Sequence, residues 1–550
     1  MSFNVRGLEL HGRTIWRRDR ILEALDFIER HDMTHLVLHE TDLMQMVTYP
    51  RSYFDPHALW TSAPTRRGEN AIENNRIYLD HVLQLAHNRN IGVFIEVKEI
   101  GFPDELITAH PELVKQGVIC PSEPFWYEFI ERKTDEFFED FPLTAGMITS
   151  PGSTEGKTSR AQNKCTCELC ARTSVEDWYC KIIAALHRAT KRHGKRLVVR
   201  DFAYKPEDHE PLIKAVEKSP PEVVFCLKVT PHDFYVTFPD NPGIGRLDRE
   251  QWIEYDAMGQ FYGWGIFPCF VLDDIRSRLD YAGKHGVTGG IFRTEWERIN
   301  DYWVLESLNE TNLIAAAELA KGRSVDPESV ARQWLEKKGS AIEAAAWLGG
   351  VLARTWPIVK GAVYANDFVF ADNSMFPRSV RRAWWSMETL NALHTWAPDR
   401  EAGLTMDRSK VQALIAEKQK ALDLARQLAG DVKAGHTALD PDLHTELIEL
   451  FDRFVLYVEG FLYCGAACFY SRWVDQERRN DTGPDAGELQ DFKDWLARLE
   501  AFGQRIRPIA TEARYRHQVV MLMDYRRIAD VLREGRQALD LVLVPSSDHA

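Results

Sequence analysis

The sequence predicts an α/β fold: a (β/α)8 TIM barrel over residues 1–324, then an all-α C-terminal domain over 325–550. Three observations carry that expectation. Between residues 6 and 297 short apolar, β-branched runs alternate with amphipathic helical segments. The runs are near-continuously apolar, as strands of a parallel sheet buried on both faces must be. Beyond about residue 325 the strand signal stops, and Ala, Leu, Glu and Arg recur with helical periodicity.

The strand runs are RGLELHG (6–12), THLVLHE (34–40), IGVFIEV (91–97), GMITSPG (146–152), RLVVRDF (196–202), EVVFCLKV (222–229), QWIEYDA (251–257) and GGIFRTEWE (289–297). Eight βα units in about 300 residues is the length of a closed barrel. The intervening helices are legible in DRILEALDFIERHDM and NRIYLDHVLQLAHNRN, whose apolar residues recur at i, i+3, i+4 and i+7. Past residue 325, DPESVARQWLEKKGSAIEAAAWLGGVLARTW and DRSKVQALIAEKQKALDLARQLAGDVKAG read as helices. The longest loop there, NDFVFADNSMFPR (366–378), is placed to reach back over the barrel mouth.

Composition narrows the function classes. With 68 Lys and Arg against 82 Asp and Glu, the net charge of −14 disfavours nucleic acid as a partner. The opening MSFNVRGLELHGRTIWRRDR has no apolar stretch after its charges, and eighteen apolar residues nowhere run together. The expectation is a cytoplasmic protein with no membrane partner. Most of the nine cysteines are scattered singly in apolar runs, as small buried hydrophobes are.

A barrel places its chemistry on the loops at the C-terminal ends of its strands. The polar residues there are His39, Glu40, Glu96, Lys98, Glu99, Glu155, Arg200, Asp201, Lys228, His232, Asp233, Glu254, Asp256, Gln260, Arg293 and Glu295. Paired carboxylates at such a mouth are what glycoside hydrolysis needs, one to protonate the leaving oxygen and one to activate water or attack the anomeric carbon. Trp60, Trp126, Tyr204, Tyr235, Phe261, Tyr262, Trp264, Trp296 and Trp303 fall on or beside the same loops, where flat rings stack on sugar faces.

These residues carry a resemblance. Leu227-Lys228-Val229-Thr230-Pro231-His232-Asp233-Phe234 resembles the strand-six signature of the α-glucuronidases of glycoside hydrolase family 67, and the resemblance gives Asp233 the role of general base. Ser153-Thr154-Glu155-Gly156 is similar to the family's strand-four motif and implies Glu155 as general acid. Val199-Arg200-Asp201-Phe202-Ala203-Tyr204 resembles the strand-five segment whose Arg binds a uronate carboxylate, which places Arg200 there. Asn312 to Trp334 resembles the entry to the family's helical C-terminal domain. The pattern departs at Pro151, where the family has a Lys, and at Gln260 in Gly259-Gln260-Phe261-Tyr262-Gly263, where it has a second base. The likeness thus extends to the wider barrel superfamily that includes hexosaminidase-like enzymes.

The expected activity is an exo-acting glycoside hydrolase on imported oligosaccharides, α-glucuronidase-like and inverting, with no cofactor required. Glu155 and Asp233 are its catalytic pair. Arg200, Lys228, His39, Glu40, Glu254, Gln260, Tyr262, Trp264 and Glu295 are its substrate-binding candidates. Rim acids also occur simply solvated or paired with Lys and Arg, so a non-catalytic sugar-binding barrel is the alternative. An unrelated barrel lyase or isomerase, using Lys98, Lys228 or a His232/Asp233 metal set, is another. Cys165, Cys167 and Cys170 form a C-x-C-x-x-C knot that reads as a structural zinc site, with Cys180 or His187 as fourth ligand, or as a plain reduced turn. Trp384, Trp385, Phe451, Phe454, Tyr457, Phe461 and Tyr463 would serve either a homodimer through the helical domain or that domain's own core.

Overall fold

A computed structural model describes residues 2–41, 43–48, 50–53, 63–98, 100–153, 156–162, 165–295, 303–480 and 484–543, apart from the side chains of 63–71, 162 and 543. Eight parallel strands close into a barrel: β1 (Val5–His11), β2 (His35–His39), β3 (Gly92–Val97), β4 (Gly146–Thr149), β5 (Arg196–Arg200), β6 (Val224–Lys228), β7 (Gln251–Asp256) and β8 (Gly289–Arg293). Chain neighbours pair throughout. Closure is made by β1 against β8, in register from Val5 opposite Gly289 to Glu9 opposite Arg293.

Successive strand side chains point to opposite faces, so residues two apart share the barrel interior. The lower interior is apolar, with Val5, Val37, Phe94, Ile148, Val198, Val224, Cys226, Trp252 and Ile291 forming a core of their own. Trp252 fills its floor, and a Cβ at Gly289 would lie 2.5 Å from that ring. One step of the same period toward the strands' C-terminal ends, the interior turns charged. His39 follows Val37, Glu96 follows Phe94, Arg200 follows Val198, Lys228 follows Cys226, Glu254 follows Trp252 and Arg293 follows Ile291, all of them buried.

Crossover helices include Arg18–Arg30, Ala63–His87, Phe125–Asp140, Val175–Arg192, Pro206–Lys218 and Leu272–Lys284. The expectation of a helix after every strand fails between β6 and β7, where 229–250 contains none. Pro231, Pro239, Pro242, Gly243 and Gly245 remove donors and backbone preference there. Buried Asn241 takes over the bonding: its Nδ2 donates to Asp201 Oδ2 and to Lys228 O, both at 2.9 Å. A two-stranded hairpin absent from the sequence reading, Val114–Lys115 with Val118–Ile119, lies after β3. Gln116 and Gly117 turn it at φ 52° and 79°.

Beyond the barrel the chain is mainly helical. The helix Pro441–Arg479 is long and apolar enough to cross a membrane by length and composition, yet 83% of its most apolar window is buried. It packs against Arg408–Ala434, Ala486–Ile506 and Tyr525–Leu543. Trp384, Phe451, Phe454, Tyr457 and Phe461 are buried in this bundle and Tyr463 is half-buried. The buried ones belong to the bundle's core. Trp385 is exposed, with the Arg382 guanidinium 4.0 Å from its ring centroid. The 366–378 segment does return to the barrel: Ser374 Oγ accepts from Gly263 N at 2.9 Å and donates to Gln260 O at 2.8 Å.

Candidate active site

At the C-terminal end of the barrel the inward residues form a bowl of buried acids and bases. The Arg200 guanidinium closes as a fork on Glu254, through Nε and through Nη2 at 2.8 Å, while Nη1 donates to Ser150 Oγ at 3.3 Å. Ser150 in turn donates to Glu96 at 3.4 Å. His39 bridges Glu9, 2.8 Å from Nδ1, and Lys98, 3.0 Å from Nε2. Burial, then His11 and Lys98, hold His39 well below the usual imidazole range, which fits a neutral ring donating from Nδ1 and accepting from Lys98. Burial and the neighbouring Glu254 and Glu96 push the Glu9 carboxyl well up. Glu254 goes down, because Arg200 more than offsets its burial. Arg293 Nε sits 3.5 Å from Glu9 and 3.7 Å from Glu254.

Asp233 differs from the others. It stands just past β6 in left-handed backbone at φ 45°, which an Asp adopts at a cost. Its carboxylate is 2.7 Å from Lys228 Nζ, and its carbonyl accepts from Thr230 Oγ1 at 2.5 Å. Its side chain is 27% exposed where Lys228 is 4% exposed, Glu254 1% and Glu9 0%. Burial alone would raise its pKa; the Lys228 ammonium and His232 more than offset that and bring it down to about 2. Phe202 and Tyr204, both half-buried and 5.4 Å apart edge to face, pack against its neighbours, with Lys228 Nζ 4.2 Å from the Phe202 ring centroid and the Tyr204 ring 5.3 Å from that of His232.

The remaining predicted residues fall into three groups. Glu155, with Glu99, Trp60 and Trp296, lies outside the described residues. The root of its loop is described: Ser153 N donates to Ser150 O at 2.9 Å, and a Cβ on Gly152 would lie 2.5 Å from Phe202 O, so this loop runs against the exit of β5. Glu295 is buried at the C-terminal end of β1, accepting from His11 N at 3.0 Å and from Thr14 Oγ1, and burial outweighs both donors to push its carboxyl up to about 8. Glu40 is half-buried, and its main-chain N–H donates to Glu96 O at 3.2 Å.

Several binding expectations are corrected. Tyr262 is buried, its hydroxyl donating to Asp256 O and its ring edge-on to Trp356, so it packs under the helical bundle instead of facing sugar. Trp264 is likewise only 5% exposed. The Gln260 amide donates to Asn373 Oδ1 at 3.1 Å. Arg200 spends its fork on Glu254 and does not present it outward. His232 has Nδ1 2.9 Å from Ala203 O and Nε2 2.9 Å from Leu390 O, which leaves no nitrogen for a metal. Of the residues that come together with the three thiols, Cys120 is the fourth rather than Cys180 or His187, and His187 Nε2 instead lies 3.0 Å from Glu222.

Glu9 and His11 belong to the bowl and were missed. The signal was available, because Leu8-Glu9-Leu10-His11 alternates apolar and polar within the first strand run. Glu9, His11 and His39 bring one donor atom each within 4.8 Å of one another. The Lys98 ammonium beside His39 already supplies a positive charge there, so the set reads as a charge network.

No family model and no curated protein matches this sequence. Among solved structures, a GH138 enzyme targeting pectin rhamnogalacturonan II aligns with 92% of this chain and 62% of its own, at a TM-score of 0.60 and 12% identity. The chain therefore spans less than two thirds of that protein's length. An O-GlcNAc hydrolase mutant from Thermobaculum terrenum aligns over 98% and 94% at a TM-score of 0.44 and 10% identity. A β-N-acetylhexosaminidase from Bacteroides fragilis aligns over 62% and 72% at 0.40 and 14%. At these identities the first likeness is one of fold.

Proposed function

We propose that this chain is a glycoside hydrolase acting in exo mode on an oligosaccharide that bears an acidic sugar. The observation that carries the reading is Asp233: a carboxylate at a barrel strand's C-terminal end, ionised at neutral pH, partly open to solvent and paired with Lys228, whose ammonium lies over the half-buried Phe202 ring. The fold shared with a pectin-directed glycoside hydrolase supports it. So do the likenesses to α-glucuronidases at Lys228–Phe234 and Ser153–Gly156.

In this proposal Glu155 protonates the leaving oxygen and Asp233 takes the proton of the attacking water, an inverting reaction if ~6.5–9.5 Å separates the two carboxyls. A base works best with a pKa near the working pH. Asp233 becomes effective only when the bound sugar draws the Lys228 ammonium toward its own carboxylate, which couples base strength to recognition of an acidic sugar. Phe202 and Tyr204 supply the stacking surface.

The test is turnover of uronic oligosaccharides and aryl glycosides by the native chain and by Glu155→Gln and Asp233→Asn. Each variant should lose at least ~100-fold in kcat, the scale of a missing acid or base, while its circular dichroism stays that of the folded native chain. Full activity in either refutes its role. Calorimetric binding without hydrolysis by the native chain would instead support a sugar-binding barrel, the reading that Gln260 and Pro151 favour.

A further inference from the structure

Away from the charged bowl, four cysteines converge. Cys120 follows the hairpin after β3, and Cys165, Cys167 and Cys170 lie on the long loop after β4. Their four sulfurs all lie within 4.8 Å of one another. Cys120 Sγ is 3.5 Å from Cys167 Sγ and 3.4 Å from Cys170 Sγ. Four thiolates at ~2.3 Å from a tetrahedral zinc stand ~3.8 Å from each other, so the spacing is that of a ligand cage. Ordinary buried cysteines pack into aliphatic surroundings as small hydrophobes. Here Cys120, Cys165 and Cys170 form a cluster separate from the main core, against which, among the described residues, the partly buried Val118 and Cys167 pack.

The main chain around the thiols is held by other groups. Trp126 Nε1 donates to Cys120 O and Trp178 Nε1 to Pro121 O, both at 2.8 Å. Arg160 donates to Cys170 O and Thr173 O, each at 3.0 Å. Such a cage is largely ordered before it is filled, and the Arg160 cation offsets part of the charge of a filled one.

We propose that Cys120, Cys165, Cys167 and Cys170 bind one structural zinc ion. Zn2+ replaces four thiol protons, which pass to solvent, and leaves a tetrathiolate complex of charge 2−. Four sulfurs complete the coordination, so no position is open for substrate or water. The site joins the loops that follow β3 and β4, neighbours in the barrel, and the second of these carries Glu155. The metal therefore acts as a clip on the edge of the mouth, and its occupancy does not depend on which reaction the bowl performs.

The full chain, purified under reducing conditions and supplied with Zn2+, should hold one zinc by elemental analysis. Cys120→Ser and Cys170→Ser should each retain less than a tenth of that, and Cys180→Ser should retain all of it. Cobalt(II) in place of zinc should give the wild-type chain intense thiolate-to-cobalt charge-transfer and tetrahedral d–d absorption, a readout that stands even if a Ser variant fails to fold. Less than a tenth of an equivalent in the wild-type chain overturns the proposal. So does alkylation of the four thiols, in the presence of zinc, at the rate found in its absence.

Discussion

Asp233 and Lys228 govern each other's chemistry across 2.7 Å. Asp233 is depressed to about 2 chiefly by that ammonium working against burial, so its share of stability is complete above the ordinary Asp value of ~3.9 and is lost as pH falls through about 2. Lys228→Met should move the acid limb of kcat/KM upward by ~1–2 pH units, toward ordinary Asp. A pH–rate profile whose acid limb stays in place would show that another group sets it. Glu295 has the opposite sign. Its folded value of about 8 lies above its unfolded one, so its favourable contribution is present below pH ~4.5 and is lost as pH rises toward 8. Glu295→Gln, which keeps an acceptor for His11 N, should raise stability at pH 7 by up to about 3 kcal/mol and leave it unchanged at pH 4. Denaturant titrations at both pH values check this, and a loss at pH 7 would mean that the carboxylate is ionised there.

At the scale of elements, the mouth depends on how closely the β4 loop lies against the end of β5. A Cβ at Gly152 would meet the Phe202 carbonyl at 2.5 Å, backbone that cannot swing aside. Gly152→Ala should therefore push the root of the loop that carries Glu155 away from the Phe202 backbone. A displacement of ~1 Å at reacting groups costs ~100-fold in rate. We expect a comparable fall in kcat/KM with little change in circular dichroism, and wild-type kinetics would show that the loop tolerates the shift. The β6–β7 connection illustrates the same dependence on backbone. Its prolines and glycines forbid a helix, and Asn241 holds it to Asp201 and to the end of β6, which sets the strand exit from which Asp233 projects.

For the whole molecule, the helical bundle completes the barrel. Phe267 stacks on Tyr457 with centroids 4.2 Å apart, Phe270 N donates to Thr355 Oγ1 at 2.8 Å, and His232, next to Asp233, meets Leu390 O. Removing the bundle would bare those rings and orphan those polar groups, each buried one at a cost of ~1–3 kcal/mol. The chain cut after residue 324 should yield no stable monomer, and the intact chain should unfold in one transition. Gel filtration of the fragment and calorimetry of the whole chain test this. A folded, monomeric fragment would show that the two parts are independent.

How much was legible follows from what each signal depends on. The eight strand runs, the helical half and the acid-rich mouth could be read because they rest on local periodicity and on the position of each polar residue at the end of its own run. Asp233 stands among those polar strand-end residues, and its role as base is implied by the resemblance to the α-glucuronidases. Pairing could not be read, because it joins residues far apart in the chain. The closure of Arg200 on Glu254, the place of Glu9 and His11 in the bowl, Cys120 as fourth thiol and the packing of Tyr262 under the bundle all depend on which strands and loops become neighbours. An acid's own sequence window shows that it can carry charge. Only the groups brought around it in three dimensions decide whether that charge is buried, neutralised or left open to a substrate, since desolvation and Coulomb interactions act through space.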